Sequence, residues 1–83
     1  MTREEAYNFL EEASSNTQSG LYVHITRVEK AIKAVSDNEE LREKALSGIY
    51  ECEGNSFDWM QLDDAKYFID IALGIKDEFS YFK

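Results

Sequence analysis

Apolar residues near the start of the chain fall at Ala6, Phe9, Leu10 and Ala13, the i, i+3, i+4, i+7 spacing of one helical face. Thr2-Arg3-Glu4-Glu5 ahead of them reads as a capping box, with Thr2 as N-cap and Glu5 reaching back. Two acids in that first turn also suit the helix dipole. This first helix stops in residues 14–20, a polar, small, turn-prone run that reads as the flexible segment of the chain. Leu21, Ile25, Val28, Ile32 and Val35 then repeat at four, three, four and three, a short heptad seam flanked by Ala31 and Ala34. Its beginning is ambiguous. Leu21, Val23 and Ile25 alternate with Tyr22, His24 and Thr26, and β-branched residues favour strand. A lone strand finds no evident partner, so the reading is helix from Leu21.

Ser36-Asp37-Asn38-Glu39 is a second S-x-x-E box and opens a third helix. Leu41, Ala45, Leu46, Ile49 and Tyr50 form its buried side, with Cys52 at its end. Arg42 and Lys44 alternate with Glu39, Glu40 and Glu43 as a solvated face. Gly54-Asn55 supplies a helix stop, because both residues tolerate positive φ.

Residues 57–83 carry the strongest pattern, helical and apolar around most of the circumference. Asp58-Trp59-Met60-Gln61 reads as the cap of a fourth helix, with Phe57 and Leu62 as a hydrophobic staple. Only Asp63, Tyr67, Asp70, Gly74 and Asp77 form a polar stripe. Such a helix is wrapped by others or pressed against another molecule. Gly74 either admits a close neighbour or ends the helix, leaving residues 75–83 as a turn or tail. The cap signals predict an all-α fold, a compact bundle of about four short helices in one domain. Helix 4 is placed at its centre or at a dimer seam.

Composition narrows the function. In 83 residues, 17 acids face 9 Lys and Arg, for a net charge of −8. That balance disfavours direct nucleic-acid binding, which needs cations to displace counterions, and it disfavours anionic membranes. It suits solubility, a basic partner or imitation of a polyanion. One cysteine closes no internal disulfide, and the start Met1-Thr-Arg-Glu-Glu lacks an export signal's basic, apolar character. No apolar run approaches a membrane span. A cytoplasmic location follows as the expectation. Without proline, and with only 4 glycines, continuous helices joined by short turns are natural. So small a domain gains from self-association, and a homodimer is expected.

Chemistry is sparse. His24 is the single histidine and lies beside Tyr22 and Thr26. A catalytic role needs a nucleophile or orienting acid close by, which the sequence does not place, so it reads as a surface or half-buried histidine. Cys52 lies between Glu51 and Glu53, which disfavour its thiolate. One Cys and one His cannot assemble the usual structural zinc sites. An EF-hand loop started at Glu51 puts Ser56 at position 6 and Leu62 at position 12, and the match fails. Asp63 and Asp64 are adjacent, so they diverge on a helix. No phosphate-binding glycine loop or nucleophile elbow occurs. The chain reads as a non-enzyme without metal or cofactor.

Three surfaces remain. Arg27, Lys30 and Lys33 stand at three-residue spacing on helix 2. They pair with acids of helices 1 and 3, or they form an anion site with Tyr22 as a stacking group. Acids cluster at Glu11 and Glu12, at Glu39, Glu40 and Glu43, and at Asp63 and Asp64. They are ordinary helix-start chemistry, or they recognise a basic protein partner, even a nucleic-acid channel that they imitate. Trp59, Tyr67, Ile71, Ile75, Phe79 and Phe82 are the expected self-association residues, since aromatics enrich interface cores.

In style the chain is similar to the short acidic helical proteins common among phage and mobile-element accessory proteins and bacterial immunity proteins, though no motif carries the likeness. The leading expectation is therefore a non-enzymatic protein-binding module, a small acidic inhibitor or adaptor that works by surface occlusion. It includes the counter-defence type and a nucleic-acid-processing target. The alternatives are a binder or sequesterer of small anions such as nucleotides, and a structural oligomer subunit.

Overall fold

The computed structural model describes residues 1–52 and 58–77. Element order is α1 (Arg3–Ala13), β1 (Ser15–Thr17), β2 (Gly20–His24), α2 (Ile25–Val35), α3 (Glu39–Cys52), β3 (Trp59–Gln61) and α4 (Leu62–Ala72). The fold is α+β, four helices with a three-stranded antiparallel sheet in the order β1-β2-β3, and not all-α.

The sheet arises where the sequence reading placed a flexible run, a helix start and a helix cap. Ser15 pairs with Tyr22 and Thr17 with Gly20, leaving Gln18 and Ser19 as a two-residue hairpin loop. Gly20 adopts φ 116, a region that L side chains rarely enter. The Thr17 hydroxyl donates to the Gly20 carbonyl at 2.8 Å and accepts the Ser19 N–H at 3.1 Å, so residues 14–20 are a built turn. β2 then finds a second partner thirty-odd residues on, where Tyr22 faces Gln61, Val23 faces Met60 and His24 faces Trp59. Long-range main-chain pairing overrides the local D-x-x-Q signal. Trp59 and Gln61 are extended, Gln61 takes the N-cap position of α4, and no side-chain cap forms there. The Phe57 member of the staple, Gly54-Asn55 and the residues after Asp77 lie outside the described residues, as does the Cys52 side chain.

The helical caps divide. The Thr2–Glu5 box is present, with both reciprocal bonds. Hydrogen bonds from the Thr2 backbone and hydroxyl hold the Glu5 carboxyl below its usual range. At α3 the Ser36 box gives way to Asn38, whose Oδ1 accepts the Leu41 N–H at 3.1 Å. Ser36 instead closes α2, its N–H bonded to the Ile32 carbonyl at 3.2 Å.

α4 is the centre. Leu62, Ala65, Phe68, Ile69, Ile71 and Ala72 are buried, covered by α1, α2, α3 and the sheet of the same chain. Its apolar circumference is therefore met inside the molecule. Gly74, at φ 79, ends the helix, and the Ile75 and Lys76 N–H groups both donate to the Asp70 carbonyl. Of the expected α3 face, Ala45 and Ile49 are buried and Leu41 and Leu46 half-buried. Tyr50 is instead 59% exposed, and its hydroxyl donates to Glu29 at 2.6 Å. That bond raises the Tyr50 pKa.

Gly48 lets α3 approach α4. A Cβ there would lie 2.7 Å from Phe68 Cε1, and Phe68 is fully buried. Gly48→Ala gains about 1 kcal/mol in helix propensity but meets an overpacking cost of about 1–3 kcal/mol. We expect a net loss near 1 kcal/mol, read as a lower urea midpoint; a rise in the midpoint would show that the ring yields freely.

Asp70 departs from the expected polar stripe. It is only 4% exposed and ties α4 to α1. Arg3 grips it through Nε at 2.8 Å and Nη2 at 3.1 Å, and the Tyr7 hydroxyl donates to it at 2.8 Å. Burial alone pushes the Asp70 carboxyl up, but the bonds from Arg3 and Tyr7 and the charges of Arg3 and Lys76 outweigh it and hold the carboxyl below its usual range. A depressed carboxylate pKa stabilises the folded state above the unfolded-state titration, and that stability is lost as pH falls through the folded-state pKa. Asp70→Asn should therefore lower stability at neutral pH and flatten its decline in acid. Urea unfolding across acid to neutral pH checks this, and an unchanged acid slope would contradict it.

Candidate docking face on the sheet

The pleat sends alternate residues of each strand to opposite sides. Val23 and Met60 point inward and are buried against the helices. The opposite set, Ser15 and Thr17 on β1, Tyr22 and His24 on β2, and Trp59 and Gln61 on β3, makes the outer face. Trp59 is 46% exposed, although it is the largest side chain in the molecule. Tyr22 and His24 are half-buried beside it.

This face is ordered by its own contacts. The His24 and Trp59 rings meet edge to face, with centroids 5.1 Å apart and an interplanar angle of 80°. His24 is held in turn as the N-cap of α2, where Nδ1 accepts the Thr26 N–H at 3.2 Å and lies 2.8 Å from the Thr26 hydroxyl. A histidine beside a hydroxyl resembles a base-activated nucleophile. Here the same nitrogen must accept from the Thr26 backbone, and no carboxylate bonds the ring among the described residues, so the contact is a cap. The Gln61 amide donates to the Tyr22 hydroxyl at 3.4 Å. Ser15, Thr17, Ser19, Tyr22 and Trp59 line a cleft of about 460 Å³ on this side. A second trough of about 350 Å³ runs along Ser19, Gly20, Leu21, Gln61, Leu62 and Asp63 at the hairpin end.

The residues marked for self-association are dispersed. Trp59 lies on β3 before α4, and Ile75 is 56% exposed past its other end, about 16 Å of helix away at 1.5 Å per residue. Ile71, 1% exposed, belongs to the core, and Tyr67 packs partly against it beneath the Lys76 ammonium, 5.3 Å from the ring centroid. Phe79 and Phe82 lie outside the described residues. Ile71 is thus not available to a dimer seam, because the same chain already covers it.

The expected anion site is also divided. Tyr22 sits on the sheet, whereas Arg27, Lys30 and Lys33 project from α2 into solvent. None of the three enters an ion pair among the described residues; Lys30 lies 6.0 Å from the Phe9 ring centroid. Of the acids, Glu11 is engaged with Lys66 at 2.8 Å, and burial together with the Asp63 charge raises the Asp64 carboxyl. Glu12, Glu39, Glu40, Glu43 and Asp63 are exposed.

Tyr22, His24 and Trp59 are each conspicuous in the sequence, but only the strand pairing makes them neighbours. The available signal was the alternation Tyr22-Val23-His24 beside Trp59-Met60-Gln61, two short period-two runs that make one sheet face. Among the described residues no group of acids, His and Cys is arranged to hold a metal, and no helix is long and apolar enough to cross a membrane. No protein-family model, curated protein or solved structure matches the chain.

Proposed function

We propose that this protein is a non-enzymatic protein-binding module, an acidic inhibitor or adaptor that docks through the outer face of its sheet onto a basic surface. The observation that carries the reading is the exposed Trp59, oriented by His24 and flanked by Tyr22 and Gln61, on a sheet whose other face sends Val23 and Met60 into the core. Trp and Tyr are the side chains on which binding energy concentrates, and a ring already held in place loses little entropy on docking. The charge of −8 favours a partner of opposite sign and speeds their encounter. Occlusion of that partner's surface is then the mode of action.

Affinity capture from the source lysate with wild-type protein and with Tyr22→Ala/Trp59→Ala tests the proposal. A stoichiometric protein should be recovered with the wild type, fall away as salt rises, and be absent with the double variant while circular dichroism shows its helices intact. Equal recovery by both proteins would refute the assignment of the sheet face.

A further inference from the structure

We infer that the cleft between Tyr22 and Trp59 receives a proline-rich segment in the polyproline II conformation, with arginine or lysine beside its prolines. This rests on the docking reading above and names the ligand that the face selects.

The chemistry of the cleft favours this occupant. Two aromatic walls stand on neighbouring antiparallel strands, with His24 opposite Trp59 and Tyr22 opposite Gln61. The floor is fixed by main-chain pairing, so the gap between the walls is preorganised. Among the lining hydroxyls, that of Thr17 is consumed by the hairpin, donating to Gly20 and accepting from Ser19. The exposed lining is mainly apolar, ring faces beside the hydroxyls of Ser15, Ser19 and Tyr22. A proline ring is apolar and rigid, and a polyproline II chain enters such a groove already extended, with little entropy left to lose. Its carbonyls have no internal hydrogen bonds. The Tyr22 oxygen accepts from Gln61, which leaves its O–H to donate to one of them.

Other occupants fit less well. A saccharide would stack on Trp59 but needs several convergent polar groups, and this lining is mainly apolar. A nucleobase would also stack, yet its phosphates would meet a chain of net charge −8. The same acidity selects the flanks of the peptide. Asp58 directly precedes Trp59 and is exposed, and Asp63 lines the neighbouring trough with Gln61. β3 thus carries a carboxylate beyond each end, and a cation at either side of the prolines meets one of them.

Trp59 is the sole tryptophan, so its emission reports directly on the cleft. The probes are an oligoproline peptide with arginine at both ends, its alanine-for-proline counterpart, the same oligoproline with glutamate at both ends, and a cello-oligosaccharide. We expect a saturable emission shift with the arginine-ended oligoproline alone, and binding weakened about tenfold or more by Tyr22→Ala. Amide shifts in wild-type protein should centre on Ser15, Thr17, Tyr22, Trp59 and Gln61, a readout that does not depend on the variant folding. No saturable response to the arginine-ended oligoproline, an equal response to its alanine counterpart, a response to the oligosaccharide alone, or shifts centred elsewhere would overturn the inference. Equal binding of the glutamate-ended peptide would overturn its basic flanks. If those results came while lysate capture still depended on Tyr22 and Trp59, the docking face would stand and the proline-rich ligand would fall.

Discussion

Phe68→Ala should destabilise the fold by about 3–5 kcal/mol, the range for removing a fully buried phenylalanine. Small domains hold only about 5–15 kcal/mol in total, so the loss takes a large share of what this chain has. Phe68 heads the fully buried side chains and sits at the junction of α3 and α4. The absence of a side chain at Gly48 is what lets its ring lie against α3, so the surrounding backbone has already closed in and cannot collapse much further. Chemical unfolding followed by circular dichroism measures the effect. Phe68→Leu should retain most of the stability, and in that background the penalty of Gly48→Ala should shrink, since the two substitutions compete for one space. An alanine variant within about 1 kcal/mol of wild type would mean that the core is not organised around this ring.

Trp59→Ala should do the opposite, leaving the fold nearly intact and removing the partner. The side chain is 46% exposed, and its ring contact with His24 is worth about 0.5–1.5 kcal/mol. Stability should therefore fall by no more than about 1–2 kcal/mol. Binding should weaken by about 2 kcal/mol or more, the mark of a central aromatic anchor, which is roughly thirtyfold in affinity. Unfolding curves and titration against the captured partner separate the two quantities. A collapse of stability would make Trp59 a structural residue, and unchanged affinity would place docking elsewhere.

The division between core and face explains what the sequence could and could not disclose. α1 was legible to its first residue, because Thr2 and Glu5 form a local box and Ala6 and Leu10 point one way. The heptad seam foretold the buried Val28 and Ile32 of α2. These signals live within a turn or two of helix. The sheet does not. Its outer strands hold three residues each, and Trp59–Gln61 gains its extended form only by meeting Tyr22, Val23 and His24. A strand judged alone has no partner, which is why the alternation after Gly20 lost to the heptad. Asp70 was hidden for a related reason. Its place on a polar stripe is correct by spacing, but Arg3 and Tyr7 lie at the other end of the chain, and only the fold shows that they enclose it. The acidic charge was visible at once, while its use depends on which carboxylates stay free after Glu11 takes Lys66.

The docking face exists only if Trp59 belongs to a strand and not to the helix that follows. Nuclear Overhauser contacts in the unliganded protein decide this directly. We expect cross-strand backbone contacts at Val23–Met60 and His24–Trp59, together with contacts between the His24 and Trp59 rings. Sequential helical contacts running unbroken from Asp58 into α4 would contradict it, since they would carry Trp59 off the sheet and dissolve the face on which the proposed function rests.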